Sequence, residues 1–496
     1  MASENESQPS LRGTASRGIA AGVVQQAARV LLQLASAVVL ARLLSANEFG
    51  LFAMVTPLVA FLALFQDFGL QAALIQRREV SDAQINQLYW LNLAFACVVA
   101  LVLLVSAPIV GWFYGDGRVA ALTMAFAVPT LLGGLASQQY ALLARAFRFV
   151  TLAALDVACA TLGLVVAVIV GLMTHSFWAL WASAVASSGL WVIASSIASG
   201  WRPSAPRLRG DTGGMLKFGI NVTGANVLFF FMRNLDNVLI GKRWGAPLLG
   251  LYDRAYKLLL FPLQNVNAPV MRVVVPILSR LQDDAQRLCR AYLRIATLVC
   301  LATVPGMAAA LAAPDEVVRL LLGPSWAGVG PIFVWLGIAG LAQPLMNTVS
   351  WLLTAQGRTE ELLQFSVAAS VVTIAAFLIG LPGGPVGVAR AYALSELAFR
   401  LPASLWLACR RNPLTPFDFG ALMGPLLAAA GATFAAVAAL RSLHLPVILF
   451  LIADAAFAYV AAVACTSLLP QGRAALSDVL KTLRETLAAR RPRLSS

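Results

Sequence analysis

The chain has 496 residues, of which 60% are hydrophobic and only 12% are charged, and its mean hydropathy is +0.80. This exceeds what a soluble chain of that length needs for its core, so the composition excludes a soluble protein and indicates an integral membrane protein. The net charge of +14 does not imply a nucleic-acid partner, because most of the basic residues flank apolar runs on one side of the membrane, where anionic lipid attracts them.

The chain starts with the polar and acidic run Met-Ala-Ser-Glu-Asn-Glu-Ser. It lacks the basic region and the small-residue cleavage site of a secretory signal, so we expect no targeting peptide to be removed. The six cysteines are scattered through or beside apolar runs, with no C-x-x-C pair and no histidine nearby. We expect them to be buried as small hydrophobic side chains, and the sequence indicates neither a metal site nor a cofactor.

Apolar stretches long enough to cross the roughly 30 Å hydrocarbon core recur along the whole chain. They fall at about 18–41, 48–70, 85–111, 118–142, 150–172, 176–200, 214–241, 247–273, 288–312, 328–354, 361–381, 385–409, 417–440 and 445–468. We therefore predict an all-α integral membrane protein with about 14 transmembrane helices. Since the basic residues gather at the ends that an inside N-terminus places in the cytoplasm, both termini are predicted to be cytoplasmic.

One short turn occurs twice. Residues 46–52 read Ala-Asn-Glu-Phe-Gly-Leu-Phe, and residues 246–252, 200 positions later, read Ala-Pro-Leu-Leu-Gly-Leu-Tyr. Such repeats are typical of secondary transporters, so we predict two parallel six-helix lobes around a central cavity, with two appended helices. The predicted segments are a cytoplasmic N-terminal tail at 1–17, an N-lobe of helices 1–6 at 18–200, a cytoplasmic linker at 201–213, a C-lobe of helices 7–12 at 214–409, helices 13–14 at 417–468 and a basic C-terminal tail at 473–496. The last segment is either an amphipathic helix on the inner leaflet or a partly disordered tail.

Polar residues form a stripe along helix 1, where Gln25, Arg29 and Gln33 recur at four-residue spacing. Helix 7, the predicted repeat partner of helix 1, carries a similar stripe. Its members are Asn226, Arg233, Asp236 and Asn237. An arginine at the bilayer centre costs roughly 2.5–3.5 kcal/mol by insertion scales. We therefore expect both stripes to face a wet cavity or an anionic ligand instead of lipid.

Some of these charges have a structural alternative. Arg233 and Asp236 stand three residues apart and could satisfy each other within helix 7, as Asp253 and Lys257 could at four-residue spacing. Arg254 either lines the mouth of the cavity or snorkels to the interface. Glu396 and Arg400, which are also four residues apart, could satisfy each other within one helix as Asp253 and Lys257 could.

Isolated carboxylates give a second group of candidates. Asp156 is expected to open a helix, where a negative charge favours the positive end of the helix dipole, so a structural role is predicted for it. Asp454 lies nearer to the middle of the membrane and, together with Asp236, is a candidate for ion coupling. The sequence contains no Walker A loop, no H-E-x-x-H and no G-x-S-x-G, so we expect a protein that is not an enzyme.

Several short motifs follow one another in a characteristic order. They are Ala41-Arg42-Leu43-Leu44-Ser45, Glu48-Phe49-Gly50-Leu51-Phe52, Phe65-Gln66-Asp67-Phe68-Gly69-Leu70, Gly250-Leu251-Tyr252, Ala355-Gln356-Gly357-Arg358 and Gly384-Pro385-Val386-Gly387. Over about residues 15–410 the chain thereby resembles the polysaccharide transporter family of oligosaccharide flippases, which is part of the multidrug/oligosaccharidyl-lipid/polysaccharide (MOP) superfamily. The resemblance implies two six-helix lobes, a bacterial inner-membrane location, and export of undecaprenyl-diphosphate-linked oligosaccharides for surface polysaccharide assembly, beside a polysaccharide polymerase and export machinery.

The residues and the resemblance together predict a flippase that moves such a lipid-linked oligosaccharide from the inner to the outer leaflet by alternating access. Arg29 and Arg233 are predicted to bind the diphosphate, because guanidinium groups pair with phosphate oxygens. The predicted sugar contacts are Gln25, Gln33, Asn226 and Asn237, with Arg254 or Lys257 assisting. The alternatives are a cation-coupled multidrug exporter of the same fold and a membrane polysaccharide polymerase or ligase, against which the short outward loops argue.

Overall fold

The computed structural model describes residues 11–67, 71, 74, 80–205, 213–470, 472–474 and 476–477. In these ranges the regular secondary structure is entirely helical. The chain divides into two compact units, Met1–Gly250 and Leu251–Ser496. The predicted all-helical fold class is thus confirmed, and each unit is described by itself below.

The first unit contains seven helices and slightly more than the first half of an eighth. They are α1 (Leu11–Leu43), α2 (Ala46–Asp67), α3 (Asp82–Tyr114), α4 (Gly117–Ala125), α5 (Ala127–Arg145), α6 (Phe149–Thr174), α7 (Trp178–Ser199) and the start of α8 (Gly213–Ser279). Helix α8 is interrupted at Gly245, whose φ of 80° and ψ of 178° are open to glycine but strained for any residue with a Cβ. The predicted helix at 118–142 is divided at Phe126, between α4 and α5.

The second unit continues with α8 and adds eight helices. They are α9 (Ala285–Ala312), α10 (Pro314–Leu321), α11 (Val329–Ala355), α12 (Thr359–Gly380), α13 (Gly384–Ser395), α14 (Leu401–Cys409), α15 (Pro416–Ser442) and α16 (Val447–Leu468). Between α13 and α14 the chain forms a π-helical segment, Glu396–Arg400. The core of the second unit is apolar and is built mainly around α9, α11 and α15, with Tyr292, Leu352 and Phe419 among the buried side chains.

Eleven helices in the described ranges are long and apolar enough to cross a membrane. One of them, Thr359–Cys409, contains a turn at Leu381–Gly383 and Gly384 with a φ of 68°, which separates two of the predicted spans. Helix α8 is not among the eleven, although its break at Gly245 lies between two further predicted spans. The membrane-spanning character is confirmed, and the total of 14 stays a prediction.

Capping residues define where several helices begin. Ser81 and Gln84 form a capping box at the start of α3, and Thr415 and Asp418 form another at the start of α15. In each box a side-chain oxygen accepts a backbone N–H that has no partner inside the helix. These polar caps fix the residue at which each apolar helix begins. The start of the helix in turn determines which side chains share a face of it.

Candidate functional site

Helices α5, α6 and α7 of the first unit line a cavity of ≈ 440 Å³. This volume falls in the range of about 300–1,000 Å³ that is usual for small-molecule sites. The lining combines neutral polar groups, one carboxylate and two aromatic rings. The lining residues are Gln71, Gly133, Ala136, Ser137, Tyr140, Asp156, Cys159, Ser187, Ser188 and Trp191.

The wall between α6 and α7 depends on small side chains. A Cβ on Gly163 of α6 would lie 2.1 Å from the Oγ of Ser187 and 3.2 Å from the carbonyl oxygen of Ser183, both on α7, so glycine favours the close approach of these two helices. The Ser187 hydroxyl donates to the carbonyl oxygen of Cys159 at 3.0 Å. This close packing fixes the α6 positions that face the cavity, including Asp156.

Asp156 connects the cavity to the polar stripe of α1. The Nε2 of Gln25 donates to the Asp156 Oδ2 at 3.0 Å. The guanidinium of Arg29, one turn further along α1, is close enough to Asp156 for a Coulomb attraction. Two of the predicted site residues are therefore brought together around a carboxylate on another helix.

The sequence-based interpretation of Asp156 was wrong in its location. Helix α6 begins at Phe149, so Asp156 lies two turns inside the helix and cannot cap its N-terminus. The signal that could have found it was a charged residue within an apolar span, which is a functional candidate by default. Because Asp156 was expected at the start of a helix, it was not treated as a charged residue within the membrane.

A second polar wall of the cavity is formed around Ser137. Its Oγ accepts the Gln71 Nε2 at 3.0 Å and the Asn92 Nδ2 at 3.2 Å. The rings of Tyr140 and Trp191, which also line the cavity, lie with their centroids 6.2 Å apart. A cavity that combines hydrogen-bonding groups with aromatic rings suits a ligand with hydroxyl groups and C–H faces, since such rings combine apolar area with a polar tip.

The remaining predicted residues of the first unit are distributed along α1 and α8. Arg29 and Gln33 are exposed on α1. On α8, Asp236 is buried and its Oδ1 accepts the backbone N–H of Asn237 at 2.9 Å. The Oδ1 of Asn237 is buried without a hydrogen-bond partner in the described part of the chain.

Two further predicted site residues belong to α8. Asn226 and Arg233 belong to the described backbone of α8, but their side chains lie outside the described residues. The proposed pairing of Arg233 with Asp236, and the depth of Arg233 relative to Arg29, therefore stay predictions.

In the second unit, Arg254 and Lys257 share one carboxylate. The Lys257 Nζ lies 2.8 Å from the Oδ2 of Asp253, and the Arg254 Nη2 lies 3.2 Å from the same oxygen. Asp253 is 7% exposed. The ion pair expected at four-residue spacing is present, and it includes Arg254 as well, so one net positive charge remains in this cluster.

Asp454 lies fully buried in α16, with 0% of its surface exposed. Neither of its carboxylate oxygens has a hydrogen-bond partner among the described residues. A charged carboxylate in such a place is costly, and the cost disappears when the group takes up a proton or a cation. The ion-coupling role of Asp454 stays a prediction.

Glu396 and Arg400 form the other ion pair that the sequence predicted. They contact each other across one turn of the π-helical segment, and Glu396 is 0% exposed. The neighbouring Tyr392 accepts a hydrogen bond from the Gln343 Nε2 at 3.1 Å.

A π-helical turn could not be predicted from the sequence, because the preference for it over α-helix depends on packing.

No three His, Cys, Asp or Glu side chains lie together as metal ligands in the ranges that the structure describes. The polar groups of the cavity are instead hydrogen-bonding amides, hydroxyls and one carboxylate. Such groups bind and orient a ligand by hydrogen bonds. The site has the character of a binding site for a polar molecule.

A chain whose described ranges contain eleven helices long and apolar enough to cross a membrane defines a multi-pass membrane protein. The model of the polysaccharide biosynthesis protein family (Polysacc_synt_3) matches residues 39–331, which is more than half of the chain. The chain belongs to this family, which confirms the resemblance seen in the sequence, and it is a multi-pass protein of a bacterial membrane.

Individual relatives and a solved structure agree with this assignment. The lipopolysaccharide biosynthesis protein WzxC of Escherichia coli is 23% identical over 74% of this chain and 75% of its own length. The succinoglycan biosynthesis transport protein ExoT of Rhizobium meliloti is 26% identical over 84% of each chain. The lipid II flippase MurJ in an inward closed conformation has a TM-score of 0.72 at 12% identity, over 91% of this chain and 98% of that one. The last likeness establishes the fold.

Proposed function

We propose that this protein flips an undecaprenyl-diphosphate-linked oligosaccharide from the inner to the outer leaflet by alternating access, as a step of surface polysaccharide synthesis. The names of its relatives support the polysaccharide, since ExoT is described as a transport protein and WzxC as a biosynthesis protein. The fold that it shares with a lipid II flippase supports a lipid-linked substrate.

The observation that carries the proposal is the cavity of ≈ 440 Å³ in the first unit, beside Arg29. Sugar hydroxyls both donate and accept hydrogen bonds. Asp156 and the serine hydroxyls accept them, and amide groups such as Gln71 do both. The faces of a sugar ring carry C–H groups that pack on Trp191 or Tyr140. The cavity is accordingly assigned to the sugar end of the substrate.

Arg29 is assigned to the diphosphate. A guanidinium has five N–H donors, and a phosphate accepts two of them side by side. The exposed position of Arg29 leaves it accessible to a headgroup, while Asp156 and Gln25 fix the local geometry. Arg233 remains the second proposed contact to the diphosphate, with Arg254 or Lys257 assisting. The further proposed sugar contacts are Gln25, Gln33, Asn226 and Asn237.

Coupling to an ion is the last part of the proposal. Asp236 and Asp454 are the proposed coupling residues, and Asp454 has the stronger support because both its oxygens are buried without a partner in the described ranges. A polysaccharide polymerase and an export machinery are the proposed partners that act on the flipped product.

The test compares a deletion strain with complemented strains. Loss of the protein is expected to leave complete, unpolymerised repeat units on the inner leaflet, and the wild-type gene to restore polymer. Trp191→Ala is expected to restore little polymer, whereas Trp112→Ala, a substitution at an 82% exposed tryptophan outside the cavity, restores it fully. Normal polymer in the deletion strain would contradict the proposal.

One observation favours a second candidate function. Asp156 places a carboxylate in the cavity, and a cation-coupled multidrug exporter needs such a group to attract cationic drugs. That function predicts increased drug sensitivity of the deletion strain together with normal surface polymer. The flippase predicts the opposite pair of results, so the two phenotypes separate the candidates.

A further inference from the structure

Three arginines in the second unit converge on one carboxylate at the junction of α11, α12 and α14. Arg358 precedes α12, whereas Arg410 and Arg411 follow α14. The Glu361 oxygens lie 2.7 Å from Arg358, 3.2 Å from Arg410 and 3.0 Å from Arg411. The cluster of these four residues therefore carries two positive charges in excess.

Arg358 alone satisfies Glu361. Its Nε donates to one carboxylate oxygen at 3.1 Å and its Nη2 to the other at 2.7 Å, which is the paired geometry of a strong arginine–carboxylate interaction. Its Nη2 also donates to the carbonyl oxygen of Leu407 at 2.9 Å, which ties α12 to α14. The side chain of Arg358 is 7% exposed. A structural role accounts fully for this arginine.

Arg410 and Arg411 are placed differently. Their side chains are 33% and 59% exposed, and each reaches Glu361 through one terminal nitrogen. Since a guanidinium has five N–H donors, most of the donors on both side chains point away from that carboxylate. The pairing of Glu361 with Arg358 leaves no electrostatic need for two more cations here.

Trp406 places this cluster at the level of the lipid headgroups. It is 59% exposed on the last turn of an apolar helix, and the Arg410 guanidinium lies 4.9 Å from its ring centroid. Exposed tryptophans at the ends of membrane helices are typical of the interface, where their rings contact headgroups. The loops at 356–358 and 410–415 both belong to the side that the charge distribution predicts to be cytoplasmic.

We propose that Arg410, Arg411 and Trp406 form a binding site for the phosphate of an anionic phospholipid in the inner leaflet. The two guanidinium groups supply charged donors to one phosphodiester, and the indole supports the glycerol backbone at the interface. Glu361, which is held by Arg358, pairs with both arginines and fixes their positions. The occupied site clamps the ends of α11, α12 and α14 together, independently of the proposed transport substrate.

The purified full-length protein is first prepared in neutral phosphatidylcholine, and phosphatidylglycerol is then added stepwise. Native mass spectrometry measures the fraction of the protein that carries bound phosphatidylglycerol at each step. R410Q/R411Q is expected to weaken the affinity about 30-fold, because each arginine near anionic lipid contributes about fivefold. The matched control R287Q/R290Q removes two exposed arginines from the same predicted side and is expected to leave the bound fraction unchanged.

Three results would overturn the proposal. The first is unchanged lipid binding in R410Q/R411Q, and the second is an equal loss of binding in R287Q/R290Q. The third is displacement of the bound lipid by undecaprenyl diphosphate at equal concentration, because this result would assign the cluster to the transport substrate. Should R410Q/R411Q fail to fold in phosphatidylcholine, R410K/R411K keeps both charges but loses the paired donors. That variant is expected to bind several-fold more weakly, and wild-type affinity would equally refute the site.

Discussion

Gly50 and Gly250, the glycines of the repeated turn, each face the other copy of that turn at its alanine. A Cβ on Gly50 would lie 1.7 Å from the carbonyl oxygen of Ala246, and a Cβ on Gly250 would lie 1.9 Å from the carbonyl oxygen of Ala46. The contact is reciprocal, as in a two-fold arrangement of identical surfaces. The similarity of the two turns is therefore explained by close backbone packing.

The first prediction concerns these glycines. Gly50→Ala and Gly250→Ala are each expected to destabilise the protein by about 1–3 kcal/mol or more, because the added methyl group overlaps backbone that cannot turn aside. Thermal unfolding of the purified protein measures the effect. Gly189→Ala is the matched control, since nothing lies within 4 Å of its Cβ position. A wild-type midpoint for Gly50→Ala would show that the contact is looser than described.

The second prediction concerns the aromatic wall of the cavity. Trp191→Ala is expected to reduce the affinity for the soluble oligosaccharide released from the lipid carrier by about tenfold, because the loss of an aromatic contact costs on the order of 1 kcal/mol or more. Isothermal titration measures the affinity, with Trp112→Ala as the control that keeps wild-type binding. Equal affinities of all three proteins would exclude the cavity as a sugar site.

The third prediction concerns Asp454. Asp454→Asn is expected to raise the midpoint of thermal unfolding at neutral pH, since it removes a buried carboxylate whose oxygens have no partner in the described ranges. An unpaired charge is costlier to bury than the unpaired amide that replaces it, which costs on the order of 1–3 kcal/mol. If Asp454 couples transport to an ion, the variant also loses the dependence of flipping on an imposed pH gradient.

Asp116→Asn is the control for that measurement. Asp116 is ion-paired with Arg118 at 2.8 Å, outside the membrane-spanning segments, and the Arg118 hydrogen bond lowers the pKa of its carboxyl. The stability that this pair contributes is present above the unfolded-state pKa of Asp116 and is lost as the pH falls through the lowered pKa. At neutral pH, Asp116→Asn is expected to leave the midpoint unchanged or slightly lower. An equal rise in both variants would remove the explanation given for Asp454.

Composition and helical periodicity were sufficient to predict the fold class, because an apolar segment in lipid must form a helix to satisfy its backbone. The pairs of Asp253 with Lys257 and of Glu396 with Arg400 were also predictable, since four-residue spacing brings side chains together within one helix. Both contacts are present. Local geometry accounts for each of these predictions.

Contacts between helices were harder to predict. The hydrogen bond of Gln25 to Asp156 joins residues 131 positions apart, and no local spacing indicates it. Arg358, Arg410 and Arg411 likewise meet only because α12 and α14 are adjacent. Tertiary packing decides these neighbours, so the polar stripe of α1 was identified from the sequence but its carboxylate partner was not.

The central claim is that Arg29, beside the cavity, binds the phosphate end of a lipid-linked oligosaccharide during flipping. The direct measurement is the initial rate at which a labelled undecaprenyl-diphosphate-linked oligosaccharide crosses proteoliposome membranes. Arg29→Ala is expected to lower this rate about 10- to 100-fold, because a hydrogen bond to a charged group contributes about 1.5–3 kcal/mol. Arg29→Lys is expected to be intermediate, and Arg118→Ala to keep the wild-type rate. An unchanged rate in correctly folded Arg29→Ala would contradict the claim.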